Sequence, residues 1–155
     1  MNKPTIQISR EIFSNEKFPP HGKFSASLDG QLIHMEATGP FNFELLSAYY
    51  EATLPMYVEA HSHGAYAVLV EFHRSMLMNC EAVQLLAESV ARLVRNDNVM
   101  IAVAYVSGLE VEGQSVMVPY IQKNVFEANG IVFKVFNAVA DAEIWLHQLL
   151  ADGVK

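Results

Sequence analysis

Six histidines and one cysteine are the side chains of this 155-residue chain with the most chemistry to offer. His61 and His63, in the run His61-Ser62-His63-Gly64, stand close enough to meet one metal ion. Zinc takes three or four converging ligands, and no HExxH pattern or Cys-His spacing supplies the others. A histidine near the end of a helix also complements the helix dipole, and that is the reading adopted here. His147 falls in the last amphipathic segment and reads as a surface residue. No metal and no cofactor is expected.

Cys80 stands at the start of a predicted helix, where the dipole lowers a thiol pKa, and His73 precedes it as a candidate base. A nucleophile also needs an oxyanion device, and no Gly-rich elbow accompanies the pair. Cys80 is therefore read as a small hydrophobe packed inertly. Ser107-Gly108 and Glu112-Gly113-Gln114 precede another helix, but Glu110 and Glu112 would repel a phosphate, and neither GxGxxG nor GxxxxGK[ST] occurs. Glu71, at a strand end, has no evident acidic companion for paired-carboxylate chemistry. No catalytic residue can be named, and the chain reads as a non-enzyme.

The elements that position these residues follow from periodicity. Phe24, Ala26 and Leu28 alternate with polar residues, Asp29-Gly30 is a two-residue hairpin signal, and Leu32 to Met35 returns as the partner strand. Asn42 caps a helix whose apolar positions run from Leu45 to Val58, with a kink or break expected at Pro55. Ala65–Phe72, with Glu71 near its end, and Val99–Val106, unbroken by charge, are apolar runs that read as strands buried on both faces, and Ile131–Phe136 reads as a third buried strand. Between them lie a helix from Asn79 to Arg95 and one from Val116 to Ala128, the latter requiring Pro119 in its first turn. A closing helix runs from Ala140 to Ala151.

Strands separated by helices imply parallel pairing, and the first hairpin adds an antiparallel edge. The expected architecture is a single α/β domain, residues 22–155, with a mixed sheet of about five strands flanked by about four helices. Residues 1–21 read as a weakly ordered arm, with room for one edge strand at Thr5 to Ser9 and a stiff Pro19-Pro20 linker.

Composition narrows the function classes. A net charge of −7 with ten Lys and Arg argues against nucleic acid as a main partner and weakens attraction to anionic lipid. Hydrophobic residues make up 52% of the chain, yet no apolar run approaches the roughly 18 residues of a membrane span. Self-association is a natural outlet for so apolar a sequence. An N-terminus without a signal-peptide core, together with a single cysteine, points to a cytoplasmic setting.

The order of elements, with "GKFSASLDGQLIHMEATGPFNFE" at its start and "VFEANGIVFKVFNAVADAEIWLHQLL" at its end, resembles the SpoIIAA-like branch of the STAS superfamily over residues 22–152. That branch includes small bacterial proteins also compared with CRAL-TRIO lipid-transfer domains. In STAS anti-sigma-factor antagonists a strand ends in an Asp, and a loop leads to Asp-Ser-Ser-Gly, where a serine is phosphorylated at the next helix start. The resemblance places Glu71 on the strand-end Asp, Asn79 on the loop Asp and Cys80 on the phosphorylated serine. Ser75 lies too early in the loop to replace it, so a phosphoserine switch has no hydroxyl here.

Two functional expectations follow. The first is a regulatory module that binds a protein partner through Arg74, Ser75, Met76, Met78, Asn79, Cys80 and Glu81, with Ser107 to Gln114 across from them; methionines suit adaptable apolar contacts. The second is a carrier of a small apolar or lipid-like ligand, with Tyr49, Tyr50, Tyr57 and Met117 at its pocket.

Overall fold

The structure is a computed structural model that describes residues 5–8 and 22–153. Six strands form one sheet in chain order: β1 (Thr5–Ile8), β2 (Lys23–Asp29), β3 (Leu32–Thr38), β4 (Tyr66–His73), β5 (Met100–Val106) and β6 (Val132–Phe136). β1, β2 and β3 pair antiparallel, and β3 to β6 pair parallel. The mixed α/β sheet is therefore as expected, with β1 as a further strand on the edge. The rest of the 1–21 arm lies outside the described residues.

The hairpin turns one residue later than the Asp-Gly signal implies. Asp29 pairs with Leu32, so the two-residue loop is Gly30-Gln31, with Gly30 at a positive φ that suits glycine. Gln31 Nε2 then donates to the Ala65 carbonyl at 2.8 Å, tying the turn to the start of β4.

Side-chain alternation sends the two faces of the sheet into different cores. Ile33, Met35, Val68, Val70, Phe72, Val103, Tyr105 and Phe133 point to one face, covered by α1 (Phe43–Ser62), α2 (Cys80–Arg95) and α3 (Gln114–Ile121). Leu32, Ala67, Leu69, Ala102, Ala104 and Val106 point to the other, beneath α4 (Val139–Gly153) through Ala142, Leu146 and Leu150. Small alanines on this second face let α4 approach closely. α4 packs over β4, β5 and β6, and on the same face of the sheet Glu36 on β3 and His73 at the end of β4 are exposed.

Three local expectations are corrected. α1 is not broken at Pro55: it runs as one helix of 20 residues from Phe43 to Ser62. The carbonyl that loses its donor belongs to Glu51, on the exposed side of the helix, while Tyr49, Thr53, Met56, Tyr57 and Ala60 anchor the other side in the core. α3 starts at Gln114, which puts Pro119 in its second turn; the helix becomes a π turn at Gln122–Phe126 and a 3-10 turn at Glu127–Asn129. β6 is an edge strand with alternating exposure, so Val132 and Lys134 face solvent instead of being buried.

Candidate functional site

At the carboxyl ends of the parallel strands three loops are stitched together. Phe41 N–H donates to the Leu77 carbonyl at 2.8 Å, and Gly39 N–H reaches the His73 carbonyl at 3.3 Å. On the other side Met76 N–H donates to the Glu112 carbonyl at 2.8 Å, and Glu112 N–H to the Arg74 carbonyl at 2.9 Å. Inside the loop, Leu77 N–H donates to Ser75 Oγ at 3.1 Å. Glycines make the close approach feasible: a Cβ on Gly39 would run into the Ser75 carbonyl, and one on Gly113 into the Leu77 side chain. The loop between β4 and α2 is thus held in one conformation, with Arg74 at φ 67°.

Asn79 caps α2, its Oδ1 accepting from Ala82 N–H at 2.9 Å. The cap turns Asn79, Cys80 and Glu81 outward and Ala82 inward. Cys80 is exposed, contrary to the buried packing expected of it, because the first helical position projects away from the core that Ala82 enters. Met76 is 0% exposed and Ser75 is buried, so neither side chain reaches the surface; Arg74, Asn79, Cys80 and Glu81 do, and Met78 is half-buried.

Across the crest, the loop after β5 is braced by Gln114, whose Nε2 donates to the Gly108 carbonyl at 2.7 Å and whose Oε1 accepts from Ser107 Oγ at 3.2 Å. From this braced loop Leu109 extends 97% exposed, and on α3 Val116 and Tyr120 are 69% and 51% exposed. Val116 and Tyr120 are four residues apart on a helix and share one side of it. Nothing in the polar character of Ser107 to Gly113 singles out Leu109; its exposure depends on the Gln114 brace, which links groups six residues apart.

The tyrosines of the second expectation meet in the core. Tyr49, Tyr50 and Tyr57 line a cavity of about 60 Å³ between the sheet and α1–α2, with Phe72, Met78 and Tyr105 among its other walls. Met117 is buried and is not among the wall residues. Tyr49 and Tyr57 hydroxyls are 2.6 Å apart, and Tyr49 O–H donates to Met35 Sδ at 2.7 Å. Burial pushes the Tyr57 phenol up to about 12, with the hydrogen bond to Tyr49 working the other way. Burial likewise raises Tyr49 and Tyr50 well above their ordinary value, and the neighbouring phenols add to the shift.

His61 Nδ1 accepts from Val99 N–H at 3.3 Å, a structural bond that joins the end of α1 to β5. Among the described residues, the set with metal-ligand spacing is Glu36, Glu71 and His73, which includes neither His61 nor His63. Glu71 therefore does have an acidic companion: Glu36 is its partner in the β3–β4 register. Spacing along the chain cannot reveal a neighbour that parallel pairing brings in from 35 residues away.

These features define an α/β protein with a single mixed sheet, three helices on one face, one on the other, and a rigid crest bearing exposed apolar side chains. No family model matches the chain, and no curated protein or solved structure matches it. Among the described residues, no helix is long and apolar enough to cross a membrane.

Proposed function

We propose that the chain is a non-enzymatic, STAS-like interaction module that binds a protein partner on the crest. The observation that carries this reading is Leu109, 97% exposed on a loop fixed by the Gln114 hydrogen bonds. A leucine held out on an ordered loop loses little conformational freedom when covered, which is the economy of a preorganised contact. Val116 and Tyr120 extend the apolar surface along α3, and Arg74, Asn79, Cys80 and Glu81 supply a polar border from the β4–α2 loop. The resemblance to the SpoIIAA-like branch supports the same end of the sheet, with Cys80 in place of the phosphorylatable serine, so binding here is constitutive. Retention of a partner by the immobilised native chain, and its loss with Leu109→Asp and Val116→Asp, tests the reading. A partner retained by both forms refutes it.

The 60 Å³ cavity beneath α1 and α2 favours the second reading, carriage of a small apolar ligand. Magnitude ranks it lower: a cavity of roughly 150 Å³ is the size that accepts benzene. A lipid-like occupant would require α1 to separate from α2. Native mass spectrometry of gently purified protein distinguishes the two, since a carrier arrives with a bound molecule.

A further inference from the structure

Beyond the crest, the face of the sheet that α4 leaves open holds a second constellation. On β3, His34 and Glu36 are two residues apart and project to this face, opposite to Ile33, Met35 and Ala37. On β4, Glu71 and His73 do the same in reversed order. The parallel register sets Glu36 beside Glu71. Two carboxylates directly opposite one another on neighbouring strands repel. The ion pairs that Glu71 makes among the described residues are with the two imidazoles: His73 Nε2 is 3.8 Å from its Oε1, and His34 Nε2 is 3.7 Å from its Oε2.

Both separations are too long for hydrogen bonds. His34 Nε2 is fully buried and has no hydrogen-bond partner among the described residues, an expense that a folded protein seldom tolerates without a use. One ligand atom each from Glu36, Glu71 and His73 lies within 4.8 Å of the others. Two ligands of a tetrahedral zinc ion, each about 2.0–2.1 Å from the metal, stand about 3.4 Å apart. The cluster needs to contract by about an ångström to close on an ion, which side-chain torsions of exposed Glu36 and His73 can supply.

We propose that Glu36, Glu71 and His73 bind a divalent first-row transition cation of the zinc class on the open face of the sheet, with His34 as the positioning residue behind Glu71. The cation turns the Glu36–Glu71 repulsion into attraction. His34 Nε2–H then donates to Glu71 Oε2, leaving Oε1 to the metal, as outer partners of ligating carboxylates do. A nitrogen donor beside two carboxylates suits zinc over calcium, which prefers six to eight oxygens. Lys23, on the same face and paired with Thr38, is the nearby cation that would compete with it. Three protein ligands leave a coordination position for water or a partner's side chain.

The test uses the full chain stripped with a chelator and titrated calorimetrically with Zn2+ alone, with Ca2+ as contrast. The expected result is one strong Zn2+ site, a rise in Tm on adding Zn2+, and at least tenfold weaker binding of Ca2+. Glu71→Gln and His73→Asn should each weaken Zn2+ binding at least tenfold; His73 is exposed, so its variant stays folded even if the other does not. Glu36→Gln should leave Tm unchanged or higher without metal and lower than wild type with it, an inversion that a merely structural glutamate does not give. His34→Ala should weaken Zn2+ binding about 10- to 100-fold, with His34→Gln restoring part of it. The proposal is overturned if Zn2+ is not taken up, if Ca2+ binds as well, or if uptake survives His73→Asn and Glu71→Gln undiminished, with His61→Asn/His63→Asn showing whether that pair holds the ion instead.

Discussion

The Tyr49 and Tyr57 hydroxyls share a 2.6 Å hydrogen bond inside the core, and Tyr49 also donates to the Met35 sulfur. The contacts are unequal: Tyr49 bonds both Tyr57 and Met35, whereas the partner of Tyr57 among the described residues is Tyr49 alone. Removing one hydroxyl is therefore not equivalent to removing the other. Tyr49→Phe leaves the Tyr57 hydroxyl buried without this partner and should cost about 1–3 kcal/mol. Tyr57→Phe leaves Tyr49 bonded to sulfur and should cost about 1 kcal/mol or less. Urea denaturation of both variants checks the order, and equal losses would show that the Met35 contact does not compensate Tyr49.

The same burial sets an alkaline limit. Tyr57 is raised to about 12, and Tyr49, Tyr50, Tyr66 and Tyr105 are raised in the same direction by desolvation. In the unfolded chain these phenols ionise near pH 10. Above that pH the unfolded state binds fewer protons than the folded one, so stability falls as pH rises. Their contribution is fully present below about pH 10 and is lost as pH climbs through the folded values, Tyr57 near 12 among them. Absorbance at about 295 nm should show most phenolates appearing together with loss of the far-ultraviolet circular dichroism signal. A gradual rise centred on pH 10 in a still-folded protein would contradict this.

Gly39 has no room for a methyl group, since its Cβ would meet the Ser75 carbonyl. That carbonyl belongs to a loop pinned from both sides, so it cannot retreat cheaply. Gly39→Ala should destabilise by about 1–3 kcal/mol, the range of overpacked sites. Gly30→Ala meets no atom within 4 Å and has only its positive φ against it. Thermal melts of the two variants should therefore place Gly39→Ala lower.

Cys80 should titrate with a thiol reagent at one equivalent per chain without denaturant, because it is exposed at the first position of α2. A thiol that reacts only after unfolding would return Cys80 to the core.

Much of the fold is legible in the sequence, because the strands announce themselves by composition. Tyr66–Val70 and Met100–Val106 are apolar runs, and Asn42 and Asn79 cap the helices they precede. Pro55 misleads, since local propensity cannot weigh the buried side of α1 that holds the helix together across it. Cys80 misleads for a related reason: apolar character says nothing about which way a helix start faces. The crest is legible in position and illegible in detail. Met76 is buried and Cys80 exposed, the reverse of the roles expected of them, and Leu109 stands exposed on a loop braced by Gln114. The Glu36–Glu71 pair is invisible to any local reading, because only the register of two parallel strands creates it.

Partner binding on the crest is tested most directly by site-specific photocrosslinking with a photoreactive phenylalanine analogue at Leu109, at Val116 and, as control, at exposed Gln148 on α4. In cells that make the protein, Leu109 and Val116 should give the same discrete adduct and Gln148 none, with loss of the Leu109 adduct when Tyr120→Asp is added. Adducts of equal yield at all three positions, or at Gln148 alone, would contradict a partner-binding crest.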